Sequence, residues 1–516
     1  MTTAPITTRV SERPQIEDET SPAVKRFGYF FGPALFLLTF LFDAPEGMNL
    51  QAWHVCGLAM WMATWWVSEA MPLPVSSLLP IIFLPTIIDI PFRQAISAYA
   101  SPIIFLFLGG FIISQGMEKH SLHLRIGLGL LKLVGVGGKS ILAGMMVACA
   151  FLGMWMSNTA TVIMMLPMAV SIAYLLTHRD GEEDLPMHKN GFAKAMALGV
   201  AYAGVIGGLG TFVGTPTNAI LQGYLEKTYG YSLKLYEWMQ FGVPLVILLI
   251  ALAWVVLYFM YIRHSNVRTD VRELVQEEFG KLGVMTFEEK AIAIVFGCVA
   301  TCWVFSDIIS DAIGMNIPDA VIAITGALAL FLIPTNKRMD NFVMEWKDTV
   351  KVPWGILLFF GGSLAISAAL TNTGVSEWLS GELEMLSGVS LFILITAVVI
   401  LIILASELLS NIATVTAFLP ILSALAVSID VHPMLIMVPA TLAASCGFML
   451  PGASAPNALA YSTGYLRVKD MVKTGAVLDI LAGILVIIFC FAVVEKTMNY
   501  SDHDFTLPTV EETVAN

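Results

Sequence analysis

Charged residues are scarce in this chain. They make up only 13% of the 516 residues, whereas 57% of the residues are hydrophobic. A soluble protein of this length needs far more charge on its surface, so the composition excludes a soluble globular protein. Apolar runs of membrane-spanning length recur from Phe27 to Val494. These runs predict an all-α polytopic protein that crosses a lipid bilayer many times.

Basic charge and reactive side chains are also in short supply. The net charge of −12 argues against nucleic acid as a partner. Cys298 and Cys302 lie one helical turn apart, but no histidine joins them, and we interpret all six cysteines as packing residues. The sequence has no His/Cys cluster, phosphate-binding loop or nucleophile–base pair. The chain is therefore predicted not to be an enzyme.

Composition and charge divide the chain into five parts. The first residues are polar, and no cleavable signal peptide is recognisable among them. The predicted parts are a disordered cytoplasmic tail at 1–26, a first repeat with the N-terminal spans at 27–262, an amphipathic cytoplasmic linker at 263–289, a second repeat at 290–495 and a polar tail at 496–516.

Lysine and arginine near the spans predict the orientation in the cell (inner) membrane. Basic residues place the N-terminus and the loop after 262 in the cytoplasm, and the acidic C-terminal tail is predicted outside. Opposite termini need an odd number of spans, and about eleven transmembrane helices plus two re-entrant hairpins fit. We assign the hairpins to 101–117 and 353–371, where polar, turn-like sequence follows a Gly-Gly pair. The two repeats then have inverted topology.

The polar residues that do occur in the apolar part form a pattern that appears once in each half. Ser157-Asn158-Thr159 is followed by Gly214-Thr215-Pro216-Thr217-Asn218, and Ser410-Asn411-Ile412 is followed by Ala453-Ser454-Ala455-Pro456-Asn457. The two Ser-Asn pairs lie 253 residues apart, and the two Gly-Gly pairs, at 109–110 and 361–362, lie 252 apart. A nearly fixed offset indicates a duplicated unit, and matched interruptions in two halves are the best sequence indication of a transporter's binding site.

These interruptions suit two kinds of ligand. The N-terminus of a broken helix offers free N–H groups and partial positive charge to an anion. Freed carbonyls and the oxygens of Ser, Thr and Asn suit a small hard cation such as Na⁺. Asn158 and Asn411 can serve both, with the amide N–H₂ toward the anion and the oxygen toward the cation. The alternative is that the small polar residues only pack helices together and that the prolines only kink them.

Fixed positive charge is missing from the interrupted regions. No Lys, Arg or His occurs at 153–161, 204–218, 405–416 or 450–458. A Na⁺-independent anion exchanger would place a cationic side chain near its anion, so this absence favours neutralisation by a co-transported cation. A channel would need a continuous pore, and a receptor would need an added signalling domain. A secondary carrier is the interpretation that we prefer.

The chain resembles the divalent anion/sodium symporter family of sodium-coupled dicarboxylate, citrate and sulfate carriers. The similarity covers about residues 50–495, and the matching stretches are Trp65–Pro72, Met154–Thr161, Gly207–Asn218, Val352–Gly355 with Phe360-Gly361-Gly362, and Ala444–Ala458. The resemblance implies a homodimer in which each protomer has a scaffold domain and a transport domain that moves like an elevator.

The resemblance also implies the site residues, position by position. One Na⁺ site would use Ser157, Asn158 and Gly214, and the other would use Ser406, Leu409, Asn411 and Ala453. The anion would lie among Asn158, Thr159, Thr215, Ser410, Asn411, Ile412 and Ser454. The implied function is sodium symport of a small divalent anion, with a C4-dicarboxylate such as succinate or malate as the predicted substrate. Sulfate or citrate transport, or Na⁺-independent exchange, is the alternative.

Three residues depart from the family's pattern. Ile412 replaces the threonine of the second Ser-Asn-Thr motif and removes a hydroxyl from the predicted anion site. Gly153 stands where the family often has serine, and Ala455 where proline is common. Glu407, beside Ser406, is an acidic residue at membrane depth, for which a structural hydrogen bond and a role in transport are both open.

Overall fold

A computed structural model describes residues 22–133, 138–177, 190–263, 276, 279–315, 317–336, 338–383 and 388–494. The predicted C-terminal tail, residues 1–21 of the predicted N-terminal tail and most of the predicted linker lie outside the described residues. The first helix begins at Pro22, so the last five residues of the predicted N-terminal tail are helical.

Helices make up nearly all the regular structure of the described residues, with one isolated bridge between Pro334 and Phe342. The α-helices are α1 Pro22–Leu41, α2 Leu50–Ser68, α3 Leu73–Ser76, α4 Leu79–Thr86, α5 Phe92–Ser97, α6 Pro102–Lys119, α7 Leu122–Leu133, α8 Gly138–Gly153, α9 Asn158–Thr177, α10 Gly191–Gly208, α11 Pro216–Tyr229, α12 Leu235–Leu257, α13 Phe287–Val304, α14 Ser306–Ile313, α15 Asp319–Leu332, α16 Trp354–Asn372, α17 Val375–Leu383, α18 Leu391–Leu408, α19 Asn411–Ser428, α20 Met434–Ala444, α21 Ala455–Ser462 and α22 Val468–Phe489.

Many of these helices have the length and composition of membrane spans. Eight described segments are long and apolar enough to cross a bilayer, and five shorter apolar helices accompany them. The eight are Pro22–Leu41, Phe92–Lys119, Gly191–Gly208, Leu235–Ile262, Trp354–Asn372, Leu391–Leu408, Asn411–Ser428 and Val468–Val493. Exposed Leu, Ile and Phe side chains are frequent on them, as expected for helices that face lipid.

The Gly-Gly segments differ from the prediction. The ranges assigned to re-entrant hairpins, 101–117 and 353–371, each form one continuous helix, α6 or α16, preceded by its N-cap residue. A Cβ on Gly109 would lie 2.5 Å from the backbone of Ala323, and one on Gly362 would lie 2.4 Å from that of Ser77. These glycines permit close helix packing rather than a turn. The helix–break–helix units occur instead at the Ser-Asn motifs, between α8 and α9 and between α18 and α19.

The centre of the molecule is α10. Nearly all of its residues are buried, and it packs against α8, α9, α12 and α21. Small residues along α10 let these neighbours approach closely. In the first turn of α10, Lys194 forms an ion pair of 2.7 Å with Asp470 at the start of α22. Helix α9, which follows the first break, and helix α21 of the other half therefore pack around the same, almost completely buried helix.

Candidate ion and substrate site

The first Ser-Asn motif lies where one helix ends and the next begins. Helix α8 ends at Gly153 and α9 begins at Asn158. Ser157 precedes α9, and its Oγ accepts a hydrogen bond of 3.3 Å from the N–H of Ala160. Serine at this position satisfies one of the free N–H groups of the helix. The remaining N–H groups and the positive end of the helix dipole are directed at the break.

The second motif repeats this local structure. Helix α18 ends at Leu408, Leu409 is extended, and Ser410 caps α19 by accepting a hydrogen bond of 3.3 Å from the N–H of Ala413. Both predicted interruptions are therefore helix N-termini.

Asn158 joins the first motif to the second interruption of the same half. Its carboxamide faces the carbonyl oxygens of Gly204 and Gly214, and in the orientation with Nδ2 on that side it donates to them at 2.9 and 3.0 Å. The carboxamide occupies space that only glycine leaves open, since a Cβ on Gly208 would lie 2.3 Å from the nearest atom of the Asn158 carboxamide. The contact brings two predicted Na⁺ ligands, Asn158 and Gly214, together.

Asn411 makes the equivalent contacts in the second half. Its Nδ2 donates to the carbonyl oxygens of Ala444 and Ala453 at 3.0 and 3.1 Å. Ser406, near the end of α18, is fully buried. A Cβ on Gly447 would lie 3.1 Å from Ser406 Oγ and 3.4 Å from the Cβ of Ala453. Three predicted ligands of the second Na⁺ site therefore lie around one short stretch of irregular backbone.

The asparagines that end the second interruptions have a different role. We refer to residues 208–214 as the first loop and to residues 447–453 as the second loop. Asn218 donates through Nδ2 to three carbonyls of the first loop, at 2.9–3.3 Å. Asn457 donates to two carbonyls of the second loop, both at 3.1 Å. Both side chains are fully buried and organise the loops from behind.

The predicted anion ligands lie at helix starts. Thr159 and Ile412 follow the motif asparagines and are half-buried, and Ile412 packs against the core. Thr215 and Ser454 are the N-terminal caps of α11 and α21, and Ser454 Oγ accepts from the N–H of Asn457 at 3.4 Å.

Thr215 connects the two halves through a chain of hydroxyls. Its Oγ1 lies 3.2 Å from that of Thr217, which lies 3.0 Å from Ser445 Oγ in the other half. In addition, α9 packs against α21 and α11 packs against α19 and α20. The four N-termini that carry the predicted anion ligands are therefore in one contiguous part of the molecule.

The departure at Gly153 has a steric cause. A Cβ at this position would lie 2.8 Å from the carbonyl oxygen of Gly204. A serine therefore does not fit without a shift of α8 away from α10, because the two backbones approach too closely. The hydroxyl that the family often has here is absent as part of a tighter helix contact.

Further side chains hold the two loops, and of these the sequence pattern indicates only Glu407, for which a structural hydrogen bond is one of the two roles left open. In the first loop, Gly214 N–H donates to Thr211 Oγ1 at 3.0 Å, and Trp238 Nε1 donates to the carbonyl of Leu209 at 2.8 Å. In the second loop, Glu407 and Asp479 accept N–H bonds. Asp479 is recognisable in the sequence as a lone acid in an apolar segment, which is the signal that identifies it.

Comparisons with known proteins agree with this architecture. The model for the sodium:sulfate symporter transmembrane region matches residues 24–495. A sodium-dependent dicarboxylate transporter, SdcS, of Staphylococcus saprophyticus is 36% identical over 478 residues, which cover 91% of this chain and 92% of the relative. The protein of the same name in Staphylococcus aureus USA300 is also 36% identical, over 470 residues that cover 90% of each chain.

Two solved structures share the fold at low sequence identity. The YdaH transporter of Alcanivorax borkumensis superposes with a TM-score of 0.53 at 11% identity, over 92% of this chain and 98% of that one. MtrF of Neisseria gonorrhoeae superposes with a TM-score of 0.55 at 12% identity, over 94% and 97%. The chain is an all-helical, multi-pass membrane protein, and it belongs to the sodium:sulfate symporter family, the divalent anion/sodium symporters that its motifs resemble.

Proposed function

We propose that this protein is a sodium-coupled symporter of a dicarboxylate, with a C4-dicarboxylate such as succinate or malate as its substrate. The observation that carries the proposal is the pair of equivalent asparagines, each held between a helix N-terminus and two backbone carbonyls. The relatives at 36% identity are named sodium-dependent dicarboxylate transporters. We therefore interpret the protein as a carrier and not an enzyme.

Two Na⁺ ions are proposed to bind at the two loops as co-transported substrates. The first would contact oxygens of Ser157, Asn158 and Gly214. The second would contact oxygens of Ser406, Leu409, Asn411 and Ala453. These groups are neutral oxygens, which suit a weakly bound alkali cation that must be released at the end of each cycle.

The dicarboxylate is proposed to lie between the halves. Helices α9 and α19 direct their N-termini toward it, and the residues in contact would be Asn158, Thr159, Thr215, Ser410, Asn411, Ile412 and Ser454. Backbone N–H groups and the helix dipoles stabilise negative charge there without a lysine or arginine. The two Na⁺ ions neutralise the two carboxylates.

The carboxamide orientation explains how cation and anion are coupled. With Nδ2 toward the carbonyls of Gly204 and Gly214, Asn158 directs its oxygen toward the proposed anion. The amide oxygen and the carboxylate repel each other in this orientation. A Na⁺ among those carbonyls repels Nδ2 and favours the rotated orientation, in which Oδ1 contacts the cation and Nδ2 donates to the carboxylate. Asn411 has the same alternatives. Each ligand thus favours the orientation that the other one needs.

The remaining architecture is proposed on the same basis. Residues 27–262 and 290–495 form two inverted repeats joined by the linker 263–289, and the protein is a homodimer in the cell (inner) membrane. The N-terminus is cytoplasmic and the C-terminus is outside. A transport domain that contains both loops moves against a scaffold, as in an elevator. The equivalent contacts of Asn158 and Asn411 support the two-repeat arrangement.

The test is uptake by proteoliposomes that contain the purified protein. Labelled succinate, citrate and sulfate are supplied with an inward Na⁺ gradient, or with choline or K⁺ in place of Na⁺. Uptake of succinate that requires Na⁺ and saturates with it is expected. Uptake that is equally fast in choline, or that occurs only against a counter-anion inside, would establish an exchanger instead. Preferential uptake of sulfate or citrate would correct the substrate.

A further inference from the structure

Two buried acids face each other behind the second loop. Glu407, in the last turn of α18, and Asp479, in the middle of α22, are each only 4% exposed. The two carboxyl groups are within hydrogen-bonding contact. Among the residues that the structure describes, neither forms an ion pair with a lysine, arginine or histidine. Buried charge without a partner at membrane depth is costly, so a function is expected for it.

The two acids bind three consecutive N–H groups of the second loop. Glu407 accepts from Met449 through Oε1 and from Leu450 through Oε2, both at 2.8 Å. Asp479 Oδ1 accepts from Phe448 at 3.1 Å. The two bonds to Glu407 have the short length of hydrogen bonds to a charged acceptor, and all three bonds fix the direction of the loop just before Ala453. The carbonyl of Ala453 is one of the two that face Asn411.

Other buried groups hold the same loop from the opposite side. The Tyr202 hydroxyl donates to the carbonyl of Phe448 at 3.1 Å, and Asn457 binds the carbonyls of Gly447 and Leu450. N–H groups therefore point to the acids and carbonyls point to neutral donors. The acids supply one complete side of this arrangement.

We propose that Glu407 is a positioning residue for the second cation site: it binds the N–H groups of Met449 and Leu450 and places negative charge behind the site. Asp479 supports it by binding the N–H group of Phe448. This inference rests on the proposed sodium coupling. A neutral group is able to hold such a loop, since Thr211 does so in the first half. The charge in the second half is additional, and it lies next in sequence to Ser406, a proposed ligand of that cation. Negative charge in a medium of low dielectric constant increases affinity for a nearby cation.

Asp479 has a narrower role, as its second oxygen indicates. Oδ2 is buried and accepts no N–H or O–H bond from the described part of the chain, and the carboxyl group of Glu407 is a close neighbour of Asp479. An amide at this position would accept from Phe448 through its oxygen and donate to Glu407 through its nitrogen. Asp479→Asn is therefore expected to preserve both the loop and the charge of Glu407.

The experiment compares Glu407→Gln, Asp479→Asn and the matched control Asp348→Asn, an acid outside the site, in proteoliposomes. For Glu407→Gln, the Na⁺ concentration that gives half-maximal succinate uptake should rise by about tenfold or more, a change of about 1.4 kcal/mol. The KM for succinate at saturating Na⁺ should change less than about threefold, because the anion site is not touched. Asp479→Asn and the control should leave both values near those of the wild type. An unchanged Na⁺ dependence in Glu407→Gln, or equal effects of Glu407→Gln and Asp479→Asn, would overturn the proposal.

A second measurement separates positioning from simple loss of folding. The melting temperature of the purified protein is measured in NaCl and in choline chloride, without substrate. Glu407→Gln should lose the increase that Na⁺ gives to the wild type, and Glu407→Asp should recover part of it. An equal drop in both salts would overturn the proposal. If wild-type uptake does not need Na⁺, the proposed function fails. The loop contacts are then still tested, since Asp479→Ala should lower the melting temperature and Asp479→Asn should not.

Discussion

The first and second loops perform the same task with different chemistry. In each, a motif asparagine faces two backbone carbonyls, and a second asparagine, Asn218 or Asn457, binds other carbonyls from behind. The acceptors that bind the N–H groups differ between the two loops. Thr211 accepts one in the first loop, whereas Glu407 and Asp479 accept three in the second.

The difference shows which part of a duplicated site is constrained. Irregular backbone inside a membrane must have all of its polar groups satisfied, but neutral and charged partners both achieve this. The carbonyls that face the proposed cations are held by the same residue type in both halves. The partners of the N–H groups have diverged, and with them the charge near each proposed cation. We therefore expect two cation sites of similar geometry and unequal strength.

The largest effect is expected from the motif asparagines, where the halves are alike. Asn158→Ala and Asn411→Ala should each reduce Na⁺-dependent succinate uptake by well over tenfold, more than about 1.4 kcal/mol, because each side chain contacts both ligands. Asn341→Ala, at an exposed asparagine in the loop after α15, is the control. Retention of more than about a tenth of the wild-type rate by either motif variant, with normal expression, would mean that the asparagine only packs.

The glycines of the two loops provide a sharper comparison. Gly208 and Gly447 are equivalent, since each provides a carbonyl to the asparagine ten residues later. A Cβ on Gly208 would lie 2.3 Å from the Asn158 carboxamide, whereas the nearest atom to one on Gly447 is Ser406 Oγ at 3.1 Å. Gly208→Ala should displace Asn158 and reduce uptake by about tenfold or more, and Gly447→Ala should reduce it only severalfold. Equal losses in transport assays would contradict the assigned geometry.

Stability should distinguish the two asparagines behind the loops. Asn218 binds three carbonyls and Asn457 binds two. Leu209 keeps its hydrogen bond from Trp238, and Leu450 keeps its hydrogen bond from the N–H of Ala453. Removing the asparagine therefore leaves two buried carbonyls unsatisfied in the first loop and one in the second, at about 1–3 kcal/mol for each group. The melting temperature of purified Asn218→Ala should therefore fall further than that of Asn457→Ala. The reverse order would show that the contacts of Glu407 and Asp479 make the second loop depend more on its asparagine than the first loop does.

Much of this architecture follows from the sequence, for identifiable reasons. The helix breaks at Ser157 and Ser410 are visible because polar residues interrupt apolar runs, and capping by serine is local. The Gly-Gly pairs misled the hairpin assignment, because glycine marks both turns and close helix contacts, and only the packing partner distinguishes the two. Glu407 and Asp479, which together bind the N–H groups of the second loop, lie 72 positions apart. No local pattern predicts such a pair.

At Ile412, where the two motifs differ, the expected change is a gain of affinity instead of a loss of transport. Thr159 offers a hydroxyl at the equivalent position of the first half, so Ile412→Thr should add a donor. The apparent affinity for succinate should increase by about tenfold or more, because a hydrogen bond to a charged group contributes roughly 1.5–3 kcal/mol. If Ile412 instead fills space that a different anion needs filled, the same change should weaken transport of that anion and broaden selectivity. No change in the KM for succinate, citrate or sulfate would place Ile412 outside the anion site.

The most direct test of the account is the binding of succinate to the purified protein with and without Na⁺. Rotation of the two carboxamides links the ligands, so the Kd for succinate in choline chloride should be weaker than in NaCl by about a hundredfold. Succinate should likewise lower the Na⁺ concentration needed for binding. The same Kd in both salts, measured by calorimetry on the same preparation, would contradict the claim that the two loops couple the anion to sodium.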